Sequence, residues 1–124
     1  MIYKETILAI GDNSGGLNAK CIHNYSSSPA KIGSMIKLSV LKTLSLESDK
    51  PVKVKKGELF KAVIINTNKE LKRKNGFIIK MNSNVAILLN IQGKMVGSRV
   101  FYMVPYESRK ASLMKLFSLA PAIV

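Results

Sequence analysis

The sequence predicts an all-β fold, a small barrel or sandwich, closed off by a helical tail. Apolar and β-branched runs recur at short intervals with Gly, Asn, Ser or Pro between them, and apolar and polar residues alternate within the clearest of them. The period changes only after Pro105, where "YESRKASLMKLF" sets Ala111, Leu113 or Met114, and Phe117 at helical spacing. A chain of 124 residues fits a single domain spanning 1–124, large enough to bury a core without a metal or disulfide staples.

Taken in order, "TILAI" (6–10) reads as the first strand. "GDNSGG" (11–16) has the glycines of a phosphate loop but not the Gly-Lys-Ser/Thr that leads into a helix. It therefore reads as a tight turn, with Asp12 and Asn13 bonding the local backbone and Gly15 or Gly16 at positive φ. "AKCIHN" is a strand with Cys21 inside and His23 outside, or the reverse. "YSSSPAK" (25–31) and "SLESDKP" (45–51) are loops by composition. In "MIKLSV" (35–40) Ile36, Leu38 and Val40 share one face, with Lys37 and Ser39 on the other.

"VKKGELF" turns at Gly57 into the run "LFKAVIIN" (59–66), leaving Lys55 and Lys56 free to meet phosphate. "KELKRKNGFIIK" (69–80) is a hairpin with Asn75-Gly76 at its tip, lined by Lys69, Lys72, Arg73, Lys74 and Lys80. "FIIKM" (77–81), "VAILLNI" (85–91) and "RVFYMV" (99–104) complete the strands, and Pro121 stops the tail helix.

Charge narrows the function. With 20 Lys+Arg against 7 Asp+Glu the formal charge is +13, and self-repulsion of that order opposes folding, so it points to a polyanion. The excess is general rather than confined to one run: residues 71–124 hold nine basic side chains and, among acids, only Glu107. Nucleic acid is the first expected partner. An anionic membrane surface is the second, but "VAILL" is far below the roughly 18–20 apolar residues that span a bilayer. "MIYKETILAI" reads as a strand rather than as a targeting leader.

One cysteine and one histidine cannot assemble an internal disulfide or a Cys/His zinc site. They also leave little for a nucleophilic triad, and the carboxylates are scattered among lysines and turns. No enzyme, cofactor or small-molecule substrate is expected. The aromatics are too dispersed for a paired stacking platform, so most should be core, and the methionines fill gaps.

The order of motifs resembles one family. "DNSG" (12–15), "IG" (32–33), "KVKKGELFKAVIINT" (53–67), "NGFIIKMNSNVAILLN" (75–90), "QGKMVGSRVF" (92–101) and "MKLFSLAPAIV" (114–124) together resemble large-subunit ribosomal protein L-fourteen, universal family uL-fourteen, over essentially the whole chain. The family signature falls on Ala62, Val63–Ile65, Asn75-Gly76, Asn84 and Ile87-Leu88. Departures include Met81 for an aromatic, Ile87 for Val, Lys74-Asn75 for Pro-Asp, Ser34 for an acid, Val96 and Tyr106 for basic residues, and "SSSPAK" for an arginine-rich segment.

The resemblance implies a closed five-stranded β-barrel with a projecting β-ribbon and short C-terminal helices. It also implies binding to large-subunit rRNA, contact with neighbouring large-subunit proteins, and a part in a bridge to small-subunit rRNA. The expected RNA-binding set is Lys53, Lys55, Lys56, Lys69, Lys72, Arg73, Lys74, Lys80, Arg99, Arg109 and Lys110, with the 25–31 loop contributing less than the hairpin. Ser98, Arg99, Lys115 and Ser118 match a surface to which a ribosome-silencing factor docks in the family. Outside the ribosome, the alternative is a basic single-strand-binding barrel. Seventeen of the twenty basic residues are Lys, a bias that suits an AT-rich coding genome. A mitochondrial ribosome is the expected location, with a bacterial cytoplasm or plastid as the alternative.

Overall fold

A computed structural model describes residues 1–25, 29–43, 54–111 and 114–124. Strands β1 (Ile7–Ile10), β2 (Gly16–Asn24), β3 (Met35–Thr43), β4 (Leu59–Asn66) and β7 (Val85–Leu89) close into a barrel in the order β1-β2-β3-β4-β7. Neighbours are antiparallel except β1 and β7, whose parallel pairing completes the ring. Closure removes the exposed strand edges that an open sheet would present. Between β4 and β7 the chain leaves the barrel as a two-stranded ribbon, β5 (Leu71–Lys72) and β6 (Ile78–Ile79).

Alternation fills the interior. On β3, Ile36, Leu38 and Val40 are buried while Lys37 and Ser39 are half-buried on the outside. They meet Leu8, Ile10, Ala19, Cys21, Ala62, Ile64, Ala86 and Leu88 in one cluster. β2 departs from strict alternation. A register shift between Cys21 and His23 lets Cys21 point inward while His23 stays outside, where a two-residue repeat would have put both on one face. The Cys21 thiol lies 3.2 Å from Asn24 Oδ1, and burial pushes its pKa up.

β7 is buried along its whole length, as is β4 from Ala62 onward, because a second apolar cluster covers them from outside. Ile65, Val85 and Ile87 pack there against Val100, Val104 and Leu116. The tail comprises a 3₁₀ helix, Tyr106–Ala111, and α1, Met114–Leu119. α1 seats its fully buried Leu116 in this outer core, a contact of about 1.5–3 kcal/mol for a leucine removed from water. Past Pro121 the chain returns alongside its own approach: Val104 N–H bonds Ala122 O at 3.0 Å, and Tyr106 N–H bonds Val124 O at 2.9 Å.

Several sequence expectations are corrected. "RVFYMV" is not a strand, although Val100 and Val104 are buried with Phe101 and Met103 exposed between them. The alternation is present, but the barrel is already closed, so the segment finds only single bridges, Asp12 to Val100 and Val104 to Ile123. "FIIKM" forms only the short β6. The described aromatics are not core: Tyr3, Tyr25, Phe77, Phe101 and Tyr106 are exposed, and Phe60 and Tyr102 are half-buried. A five-stranded barrel has a narrow interior, which Ile, Leu, Val and Ala fill. Of the 25–31 loop, residues 26–28 lie outside the described residues, and Ala30 is tied to Ile2 by two backbone bonds of 2.8 Å.

Candidate nucleic-acid interface

Most of the expected RNA-binding side chains that the structure describes lie on turns or on the projecting ribbon. At the entrance to β4, Gly57 takes φ +84° and its N–H bonds Val40 O at 2.7 Å, while Glu58 N–H returns to Lys55 O at 3.2 Å. The Glu58 carboxylate caps Lys55 N–H at 2.9 Å. The turn is thus fixed by backbone and acid, and the side chains of Lys55 and Lys56 stand exposed. Lys53 lies outside the described residues.

The ribbon tip is a three-residue loop rather than a two-residue Asn-Gly turn. Arg73 N–H bonds Phe77 O at 2.9 Å and Gly76 N–H bonds Arg73 O at 3.1 Å, with only Gly76 at positive φ, +89°. Asn75 Oδ1 accepts from Phe77 N–H at 3.2 Å. Strand parity then sorts the basic run. Leu71, which faces Ile79, is half-buried, and so is Arg73 two residues on. Lys72 and Lys74 are exposed on the opposite side. Lys69 and Lys80, at the ribbon's base, are exposed as well.

Arg73 is therefore committed to the protein. Its Nε and Nη2 donate to the two oxygens of Glu107 at 2.7 and 3.1 Å, and Nη2 also donates to Val124 O at 2.6 Å. The two side chains are 23% and 26% exposed, so this fork joins the ribbon to the tail within a partly desolvated contact. It is one of two ion pairs among the described residues, the other being Lys20 with Glu5.

Asn13 does not bond locally as expected. Its Oδ1 accepts from the N–H groups of Ser98 (2.7 Å) and Arg99 (3.1 Å), and its Nδ2 donates to Ser98 Oγ at 2.9 Å. Asp12 does bond locally, Oδ1 accepting from Ser14 N–H at 3.2 Å and Ser14 Oγ at 2.5 Å, and Gly15 takes φ +101°. Gly97 packs so closely that an added Cβ would lie 2.8 Å from both Asn13 Oδ1 and Asp12 Cβ. The loops around 12–15 and 97–99 are thus one unit, which presents exposed Ser98 and Arg99.

Ser118 is exposed on α1, and that helix borders the same outer core as Val100, the neighbour of Arg99. The side chains of Arg109, Lys110 and Lys115 lie outside what the structure describes. Sequence reasoning missed Lys37 and Lys61, which the barrel places directly opposite each other on β3 and β4. The outward parity of Lys37 was legible, but its cross-strand partner depends on register.

Among the described residues no group of three or more His, Cys, Asp or Glu could hold a metal, and no helix is long and apolar enough to cross a membrane. The model of the family described as ribosomal protein L14p/L23e matches residues 1–124.

Proposed function

The chain belongs to the L14p/L23e family of ribosomal proteins, and from that premise we propose that it binds large-subunit rRNA through lysines held on rigid turns and contributes to the intersubunit face. Membership makes it a structural, non-enzymatic constituent of the large subunit, with rRNA and other ribosomal proteins as its partners.

One observation carries it. Lys55, Lys56, Lys69, Lys72, Lys74 and Lys80 are exposed and have no ion pair among the described residues, while two acids beside them, Glu58 and Glu107, are spent on holding the Lys55 backbone and Arg73. Lysines arranged so gain by displacing counterions from a phosphate backbone, and the closed barrel fixes their positions. Arg73 leaves the RNA-contact set for a structural one.

The finer partners follow from the same surface. Exposed Ser98, Arg99 and Ser118 support a face on which a silencing factor would block subunit joining, with Lys115 of the same helix as Ser118 added from the family resemblance. As in the family it resembles, the chain would also meet small-subunit rRNA at a bridge. The lysine bias and the departures from the bacterial pattern favour a mitochondrial ribosome.

The test is binding of the purified chain to a large-subunit rRNA fragment over a salt series. Lys55→Gln, Lys56→Gln, Lys72→Gln and Lys74→Gln together should flatten the slope of log affinity against log salt by roughly 0.7–0.9 per lost contact, with the fold intact. An unchanged slope would refute the assignment. Persistence with large subunits through a high-salt wash separates this reading from a single-strand binder acting outside the ribosome.

A further inference from the structure

The outer face of the barrel carries a feature that neither the turns nor the ribbon explains. His23 of β2 lies opposite Lys37 of β3, and Lys37 lies opposite Lys61 of β4. Two lysines and the chain's single histidine therefore stand in one row across three strands. Like charges directly opposed across a sheet destabilise it, and among the described residues no ion pair relieves either lysine. The register shift after Cys21 is what brings His23 to this side.

Tyr25 completes the row. Lys61 Nζ lies 5.6 Å from the centre of its ring, and the His23 ring meets it edge-on with centroids 5.2 Å apart. Beside it an open groove runs over Leu59 and Phe60 to Ile91 and Gln92. Leu59 is 52% exposed, and Ile91, in the turn that follows β7, is 99% exposed. The acid on this groove, Glu58, has its carboxylate on Lys55 N–H. Asn90 Oδ1 accepts from Lys94 N–H at 2.9 Å, which leaves its amide N–H₂ to donate.

We infer that this groove takes an unpaired nucleotide of RNA, its base laid on the Tyr25 and Leu59 surface and its phosphate held by Lys37 and Lys61. The inference rests on the RNA-binding reading above and adds a stacking site to it. A purely apolar floor would suit a protein side chain equally well. An apolar, partly aromatic floor edged by opposed lysines suits a group that is planar and anionic at once, which a nucleotide is and most peptide segments are not. Aromatic stacking accepts any base, and the amides of Asn90 and Gln92 sit where a base edge can be bonded.

The chain's single histidine gives the test a local reporter, because its imidazole C–H resonances belong to this site alone. The full-length chain is titrated with a single-stranded oligoadenylate of roughly eight nucleotides, within the span of a single-strand site, and with an RNA duplex of the same length. The single strand should shift the His23 resonances to saturation and the duplex should not. Tyr25→Leu should weaken single-strand binding about tenfold. Lys37→Gln with Lys61→Gln should flatten its salt slope by roughly 1.4, at about 0.7 per contact to a single strand. Amide spectra of the variants check that the barrel is intact. Three results would overturn the site: His23 resonances unmoved by the single strand, an equal shift with the duplex, or Tyr25→Leu binding like the parent. Crosslinking of Lys37 or Lys61 to a neighbouring protein rather than to nucleotide in assembled subunits would do the same. If the rRNA fragment of the preceding test still binds in those cases, only this site falls; if it does not bind, the broader reading falls too.

Discussion

Replacing Arg73 by Gln should unfasten the ribbon from the tail, an effect separable from any loss of RNA affinity. The side chain makes a forked pair with Glu107 and a third bond to Val124 O. A solvated surface pair contributes about 0–1 kcal/mol, whereas breaking a buried pair costs about 3–5 kcal/mol. With the partners 23% and 26% exposed, water can recover part of Glu107's solvation once Arg73 is gone, so the loss should be about 2 kcal/mol. For a chain of this length that lowers Tm by about 6–10 °C. Thermal unfolding of Arg73→Gln, Glu107→Gln and the double variant measures the coupling directly, with Lys72→Gln and Lys74→Gln as controls expected to change stability by less than about 0.5 kcal/mol. Amide exchange should quicken at Tyr106 and Val124, whose N–H groups hold the returning tail. A loss below about 0.5 kcal/mol with no coupling to Glu107 would refute the reasoning and return Arg73 to the phosphate-binding set.

Other outcomes follow from the same geometry. Leu116→Ala should cost about 2–5 kcal/mol by emptying the centre of the outer core, and urea unfolding should show it as a lower midpoint. Gly97→Ala forces a Cβ to 2.8 Å from Asn13 Oδ1 and Asp12 Cβ; the displaced 97–99 loop should shift the Ser98 and Arg99 amide resonances and cost about 1–3 kcal/mol, and unmoved resonances would contradict the fit described. Arg99→Glu with Lys115→Glu should abolish docking of a silencing factor while leaving incorporation into subunits largely intact, since the reversed charges would repel an acidic partner; pull-down with purified double-variant subunits decides it.

The all-β class, the helical tail and the turn glycines were legible because each rests on a local pattern, whereas the choice of a closed barrel over a sandwich came from the family resemblance. Ile36, Leu38 and Val40 announce their shared face by period two, and Gly57 and Gly76 announce turns that need positive φ. Lys55 and Lys56 could be placed on a turn tip without knowing any neighbour. The functions of Arg73 and Asn13 were not legible in the same way. Both read as surface polar residues in a basic or glycine-rich run, and their partners Glu107, Ser98 and Arg99 come from segments distant in sequence. Parity offered a partial signal for Arg73, since it shares a face with Leu71 two positions earlier.

Sequence alone determined that this chain is a small all-β unit with a general excess of positive charge, because composition is additive and hydrophobic period and turn chemistry act over a few residues. Only the tertiary structure decided which charges remain free for a partner. Closing the barrel denied "RVFYMV" a strand to pair with and made it the roof of a second core. Seating the tail brought Glu107 under the ribbon and so withdrew Arg73 from solvent, and the register of β2, β3 and β4 set His23, Lys37 and Lys61 in one row. The physical reason is that pairing and burial join residues by distance in space, and that distance is fixed only when the sheet closes.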